Sequence, residues 1–277
     1  MSVLKNATRQ SPSIAAKLVR ERAWYLLPLY GLLRLSDLAR EGIEHSGSYR
    51  FADHIYVGSP SGRTPLGRWL DARLLAMPAA RAFRRRCDNA QAVVLLALES
   101  RAAKAGPLRV LAVPCGIPRD LIELSRALKT SRRDLLDRLE YHGMDLDPKA
   151  VALATSALAD CGLRAAFVHR GDALASTDYP PCTFHVVLST GLGEFLDDEE
   201  LTWLFSNAYQ ALEPGGVFYT SATARDPRSD ALLKMAELIT RYRQADEFER
   251  LLRRLPWRAL SLTHDQTGLQ TFATAIR

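Results

Sequence analysis

At 277 residues, 47% of them hydrophobic and 25% charged, the chain can bury one large core, or a domain with an appendage, and its composition excludes the disordered classes. The net charge of +6 admits nucleic acid, an anionic membrane or an acidic substrate as partners and selects none of them. Cys87, Cys115, Cys161 and Cys182 form no C-x-x-C pair, which argues against a zinc site or a disulfide framework and for a reducing cytoplasm.

No charged segment followed by an apolar core opens the sequence, so a secretory leader is not expected. The apolar stretch 24–33 contains Pro28 and Gly31 and is too short to span a bilayer. Residues 1–104 differ in character from the rest and are expected to form a helical N-terminal region. Helices are predicted over 13–22 and 32–44, the second starting near Ser36 or Asp37. Residues 45–62, rich in Gly, Ser and aromatic side chains, read as a long irregular segment, and long loops in compact proteins are often lids. Tyr49, His54 and Tyr56 alternate there with apolar residues. His54 is a candidate base, imidazole being the side chain suited to that task near neutral pH; a satisfied structural histidine is the competing reading.

Thr64-Pro65 supplies an N-cap and a first-turn proline for a helix through Trp69, Leu70, Leu74 and Leu75. Pro78 opens another helix that continues to about 104 and is closed by Gly106-Pro107. That helix carries Arg81, Arg84, Arg85 and Arg86, which read either as a solvated face or as a nucleic-acid contact.

After Pro107 short apolar runs alternate with helical periods. Strands are predicted at 110–113, 142–146, 165–169, 185–189 and 217–221, with helices at 119–128, 148–159 and 198–212 among them. This alternation implies a parallel sheet covered on both faces. Helices at 229–242 and 247–254 follow, and two last strands, 258–263 and 270–276, form a terminal antiparallel hairpin. The segment Arg109 to Leu121 reads as strand, tight turn and helix start, with Pro118 at the first helical position. Such a turn aims backbone N–H groups and a positive helix end at a bound ligand.

Five motifs in order then carry a resemblance: Leu111-Ala-Val-Pro-Cys-Gly-Ile-Pro118, Gly143-Met-Asp-Leu-Asp-Pro148, Gly171-Asp-Ala-Leu174, Phe184-His-Val-Val-Leu-Ser-Thr-Gly191 and Leu212-Glu-Pro-Gly-Gly-Val-Phe218. From about residue 108 to the end the chain resembles the class I S-adenosylmethionine-dependent methyltransferases. Its N-terminal part, around Pro60 to Asp71, is more loosely similar to a little-characterised group of bacterial methyltransferases. The resemblance implies an α/β, Rossmann-like, seven-stranded, mostly parallel sheet ending in an antiparallel hairpin. It implies a methyltransferase domain over 105–277 behind a helical substrate lid over 1–104, with S-adenosyl-L-methionine as cofactor and no metal.

By the same resemblance, Val113, Pro114, Gly116 and Arg119 of the first turn contact the cofactor. Asp145 would take the ribose hydroxyls beside Leu146, and Asp172 the adenine amino group beside Ala173, with Ser189 and Thr190 completing the set. Two alternatives stay open: Asp145 as a helix cap, and Asp172 as a turn-former after Gly171. The chain departs from the family at Ala112, where an acid is usual, and at Pro114 and Pro118, where glycines are usual. Pro114 has no N–H to donate, so Arg119 is the candidate for the methionine carboxylate, with an exposed arginine at a helix start as the competing reading.

No Asn/Asp-Pro-Pro-Tyr/Phe sequence follows the fourth strand; Ser189-Thr-Gly-Leu-Gly-Glu-Phe195 stands there instead. Glu194 is a candidate for orienting or deprotonating the acceptor, with a solvated loop acid as the bland reading. His54 and Tyr56 are the other catalytic candidates, and Tyr49, Arg50 and Phe195 the substrate-binding ones. His185 reads as structural. The expected partner is a small molecule, amphiphilic ones included. The alternatives are an RNA methyltransferase using the arginine cluster and a cofactor binder that has lost catalysis. Peripheral membrane contact stays open, and the oligomeric state is not legible.

Overall fold

The structure is a computed structural model that describes residues 15, 19–20, 22, 24–44, 49–227, 229–230 and 240–277. The chain divides into two compact units, 1–84 with 225–240, and 85–224 with 241–277. Most of the helices predicted at 13–22 and 229–242, and residues 45–48 of the predicted lid loop, lie outside the described residues; within the second helix, 240–242 are described and are not helical.

The larger unit is built on seven strands: β1 (Leu108–Ala112), β2 (Leu139–Asp145), β3 (Ala165–Arg170), β4 (Phe184–Ser189), β5 (Leu212–Thr223), β6 (Ala259–His264) and β7 (Gln270–Ile276). Their order across the sheet is β3-β2-β1-β4-β5-β7-β6. The first five run parallel, and β7 pairs antiparallel with both β5 and β6. The expected mostly parallel sheet with its antiparallel end is therefore present.

Alternation of side chains along a strand sorts the centre of this sheet into two cores. Val110 and Ala112 of β1 face one cluster with Tyr141, Val186 and Leu188, whereas Leu111 joins Met144, Phe184 and Val187 in the other. Both faces are apolar because both are covered, so β4 is buried at every residue. Ala90, Val94 and Leu98 cover the first face together with Leu121, Leu124 and Leu128. Leu201, Leu204, Phe205 and Phe248 cover the second.

The helices are α1 (Leu27–Leu33), α2 (Asp37–Glu44), α3 (Tyr49–Val57), α4 (Pro65–Leu75), α5 (Pro78–Ser100), α6 (Arg119–Ser131), α7 (Arg133–Leu136), α8 (Pro148–Leu158), α9 (Asp198–Ala211) and α10 (Ala245–Leu252). Three expectations need correction. The predicted irregular segment at 45–62 contains α3: Phe51 and Ile55, one turn apart, pack with Leu38 and Leu75, so the aromatic alternation concealed a helical face. The predicted helix over 32–44 is broken at 34–36, where Ser36 Oγ accepts from the Ala39 N–H at 2.9 Å and caps α2. Pro118 precedes the first helical residue, and its carbonyl accepts from Ile122 N–H at 3.0 Å.

In the smaller unit the fold is tied at Asp71, which is fully buried on α4. Its carboxylate accepts from Ser36 Oγ and from the N–H groups of Leu38 (3.2 Å), Ser61 (2.9 Å) and Gly62 (2.8 Å). Burial pushes this carboxyl up, and the four hydrogen bonds outweigh burial and hold it below the usual range. Thr64 caps α4 as expected, accepting from Gly67 N–H at 3.0 Å. Gly67 has no room for a side chain: a Cβ there would stand 2.1 Å from the Leu35 carbonyl oxygen. Gly67→Ala should therefore lower stability by about 1–3 kcal/mol, read as a lowered urea midpoint with an unchanged slope.

Candidate functional site

The site grows from the turn after β1. Val113 N–H donates to Leu188 O and Cys115 N–H to Met144 O, each at 2.9 Å, so the turn is stitched to the strands on both sides. The Val113-Pro114 peptide is cis. Gly116 follows with φ at +48°, a left-handed conformation that glycine adopts without strain. Its N–H donates to Asp145 Oδ2 at 2.9 Å, while Asp145 Oδ1 accepts from Asp147 N–H at 3.0 Å. Burial raises the Asp145 carboxyl, against the pull of these two amides and of the Leu146 N–H. The structure gives the helix-capping task to Asp147, whose Oδ1 accepts from Lys149 N–H at 2.8 Å.

Asp145 thus sits at the carboxyl end of β2, half-buried and oriented by two backbone donors. A carboxylate offers about four acceptor positions. The Gly116 and Asp147 amides take one on each oxygen and the Leu146 N–H adds a weaker contact, so acceptor capacity remains for a hydroxyl-bearing ligand.

Asp172 makes the turn after β3: its Oδ1 accepts from Leu174 N–H at 2.9 Å, and its own N–H donates to Asp178 Oδ2 at 2.8 Å. The turn-forming role weighed for it is real, and it uses only one carboxylate oxygen. The Ala173 carbonyl accepts from Tyr179 Oη at 2.9 Å and Asn207 Nδ2 at 3.2 Å. Leu146 is exposed beside Asp145. Ser189 ends β4 with its hydroxyl buried and without a hydrogen-bond partner among the described residues. Thr190 follows, half-buried, and Arg119 is half-buried at the first residue of α6.

Glu194 stands in a short turn of 3-10 helix, Leu192–Glu194, followed by half-buried Phe195. Its Oε1 accepts from Arg86 Nη1 at 2.7 Å and from Thr223 Oγ1 at 2.5 Å. Gln270 Nε2 continues the chain of bonds to Thr223 Oγ1 at 2.6 Å. Glu194 is therefore clamped on a buried guanidinium, unlike the solvated acid of the bland reading. Arg86, only 2% exposed, is the residue that sequence reasoning missed. Its signal was present: position 86 falls in the four-residue spacing of Ala90, Val94 and Leu98, all buried.

The arginine cluster is accordingly divided. Arg84 donates to Leu75 O at 3.0 Å, Arg85 pairs with Asp88 at 3.2 Å, and only Arg81 and Arg85 of the four are exposed. His185 is structural, as expected: its Nδ1 accepts from Arg109 N–H at 3.0 Å, which turns Nε2 toward Glu213 at 3.2 Å. Burial holds its pKa below the ordinary histidine value, and Arg101 and Arg109 add to this against Glu213.

Four candidates belong to the smaller unit. His54 lies in the last turn of α3, with Nε2 3.2 Å from Ser61 Oγ. The Tyr56 ring packs on Phe83 with centroids 5.0 Å apart. Tyr49 is half-buried and Arg50 exposed, both in the first turn of α3. The structure brings Val113, Pro114, Gly116 and Asp145 together around one turn, and it places Glu194 in the Arg86 network. Among the described residues no cluster of His, Cys, Asp and Glu is placed to hold a metal ion, and no helix is long and apolar enough to cross a membrane.

Comparison with known proteins agrees with this geometry. Residues 111–218 match the model of a methyltransferase domain family. No curated protein matches the chain. A solved structure described as a possible exported protein from Bordetella parapertussis superposes with a TM-score of 0.72 at 22% identity, over 97% of each chain. The S-adenosylmethionine-dependent methyltransferase SibL, in its apo form, gives 0.54 at 20% identity, over 92% of this chain and 76% of that one. Magnesium protoporphyrin IX methyltransferase from Synechocystis PCC 6803, with bound S-adenosylhomocysteine, gives 0.54 at 15% identity, over 87% of this chain and all of the other. At these identities the likeness is one of fold.

Proposed function

We propose, from the match of residues 111–218 to a methyltransferase domain family and from the fold, that the chain is a class I S-adenosylmethionine-dependent methyltransferase that transfers the methyl group of S-adenosylmethionine to a small molecule. One observation carries the reading: Asp145, at the tip of β2, is aimed by Gly116 and Asp147 and keeps acceptor positions for a ribose diol. The orphaned Ser189 hydroxyl, at the same edge of the sheet, fits a polar ligand there.

The cofactor supplies an activated methyl group on a sulfonium, and the protein's part is to hold it and line up the acceptor. Asp145 fixes the ribose, Asp172 offers its second carboxylate oxygen to the adenine amino group, and the Pro114–Gly116 turn sets the backbone beneath them. Arg119 remains the candidate for the methionine carboxylate. Glu194, held by Arg86 and Thr223, acts in this reading by orienting the acceptor or taking its proton, with Phe195 beside it. A base is required only where the acceptor loses a proton during attack.

On the strength of the sequence alone, substrate recognition goes to the N-terminal region, through Tyr49, Arg50, His54 and Tyr56. A small acceptor, amphiphilic ones included, is favoured over RNA, because three of the four clustered arginines, Arg84, Arg85 and Arg86, are engaged by protein groups. Four free cysteines, three of them buried, support a reducing, cytoplasmic location.

Calorimetric titration with S-adenosylmethionine and S-adenosylhomocysteine tests the reading. Saturable binding of both is expected. No heat at millimolar ligand overturns it, and binding without turnover on any acceptor leaves the degenerate binder.

A further inference from the structure

The smaller unit carries most of the exposed apolar surface. Among the described residues, nine of the fourteen large apolar side chains that stand in solvent lie between 19 and 69. Scattered singly they would need no explanation; here they fall on adjoining segments. Trp24 and Tyr25, each 66% exposed, stand in a short turn of 3-10 helix, Trp24–Leu26, that runs directly into α1. Leu29 and Leu32, three residues apart, continue the exposed side along α1, while Leu33 is buried. On α4, Leu66, Trp69 and Arg73 follow at the spacing of one helix face, and all three are exposed. Gly67, Leu70, Asp71 and Leu75 occupy the buried side of the same helix. The two segments meet where Leu35, itself exposed, lies against Gly67. Each helix therefore buries one side in its own unit and keeps a second apolar side in water.

Charge indicates what covers this face. Residues 1–84 hold 13 lysines and arginines against 6 aspartates and glutamates, a net of +7; the rest of the chain, with 24 against 25, is close to neutral. The stretch 24–35 has no acid, and between Asp53 and residue 84 the one acid is the buried Asp71. Arg63, Arg68 and Arg73 are exposed and enter no ion pair among the described residues. Arg73 lies over the Trp69 ring, 5.2 Å from its centroid, so a cation and an indole share one spot. A second copy of the chain would bring +7 against +7 at this face, which like-charge repulsion opposes. RNA would answer the charge but leave Leu29, Leu32 and Leu66 in water. An anionic bilayer answers both: indole and phenol rings sit at headgroup level, leucines reach the acyl boundary, and guanidinium groups meet lipid phosphates. No described helix is long and apolar enough to cross a membrane, so such a contact lies on the surface.

We propose that this face of the smaller unit docks on an anionic lipid bilayer, with Trp24, Leu29 and Trp69 entering the headgroup layer and Arg63, Arg68 and Arg73 held by lipid phosphates. The apolar side chains supply the depth of contact and the arginines the preference for negative lipid. The proposal stands apart from the methyltransferase reading, since it uses no residue of the site after β1 and survives that reading's failure.

Flotation of the full-length protein with vesicles of equal parts phosphatidylglycerol and phosphatidylcholine tests it, beside vesicles of phosphatidylcholine alone. The protein is expected to float with the mixed vesicles, to be released by raised salt, and to stay behind with pure phosphatidylcholine. The pair Trp24→Gln, Trp69→Gln should lower partitioning by about tenfold or more, and the pair Arg63→Gln, Arg68→Gln by a similar factor. All four positions are exposed, so an unchanged melting temperature certifies each variant as folded. Should the tryptophan pair melt early, Leu29→Ser with Leu66→Ser reads the same face. A wild-type protein that ignores the mixed vesicles overturns the proposal. Full binding by a folded tryptophan variant overturns it too, because plain basicity, which RNA would equally satisfy, then suffices. A wild type that sediments as a dimer without lipid, and becomes monomeric through the tryptophan pair, overturns it in favour of a second copy of the chain.

Discussion

Asp145→Ala is expected to weaken binding of S-adenosylmethionine and S-adenosylhomocysteine at least tenfold, a loss of about 1.4 kcal/mol or more. The substitution removes both acceptors offered to the ribose. It also leaves the N–H groups of Gly116 and Asp147 without the carboxylate that now receives them. The turn would then lose its tie to β2 on the ligand side, while Cys115 N–H still holds Met144 O behind it. Asp145→Asn separates the two effects. An amide keeps one acceptor oxygen and turns a donor toward the other backbone N–H, so its loss should fall between wild type and alanine. Calorimetry on the three proteins reads the series, and an alanine variant with wild-type affinity would refute the assignment.

Arg86→Met is the second substitution with a large expected effect. Arg86 is 2% exposed and Glu194 13%, and the pair is bridged at 2.7 Å. Removing the cation strands a buried carboxylate with Thr223 as its remaining side-chain donor. Breaking one side of such a pair costs about 3–5 kcal/mol. For a chain of this size that is a fall in melting temperature on the order of 10 °C. The double variant Arg86→Met, Glu194→Gln should recover part of the loss, because no unpaired charge is left buried. A melting temperature within a degree or two of wild type for the single variant would show that the pair is solvated in solution. The double variant bears on chemistry as well: if it folds and binds cofactor yet transfers no methyl group, Glu194 serves the acceptor in addition to the fold.

The sequence exposed most of what a parallel sheet demands. Continuous apolar runs such as 184–189 have no other comfortable place than a strand with both faces covered, and β4 is buried at every residue. Asp145 was legible because it stands in Gly143-Met-Asp-Leu-Asp-Pro148, where the resemblance puts the acid that ends the second strand. Arg86 was not, because four arginines within six residues look like a solvated face, and only the spacing of Ala90, Val94 and Leu98 distinguishes the inward one. Helix α3 was hidden for a related reason: glycines and serines on either side of 49–57 suggested a loop, while Phe51 and Ile55 supplied the buried stripe. Glu194 could be picked out as an acid near the site, but its clamp to Arg86, 108 positions away, is a product of folding that no local pattern encodes.

The knot at Asp71 has a consequence for how the smaller unit tolerates deletion. A single carboxylate on α4 fastens the start of α2 through Ser36 and Leu38, and the stretch before Thr64 through Ser61 and Gly62. Neither piece can be trimmed away without leaving that buried anion short of donors, whereas exchange of sequence is limited chiefly at Ser36, because the other three donors are backbone N–H groups. A deletion in either segment is therefore expected to be better tolerated with a neutral residue at position 71 than with the aspartate.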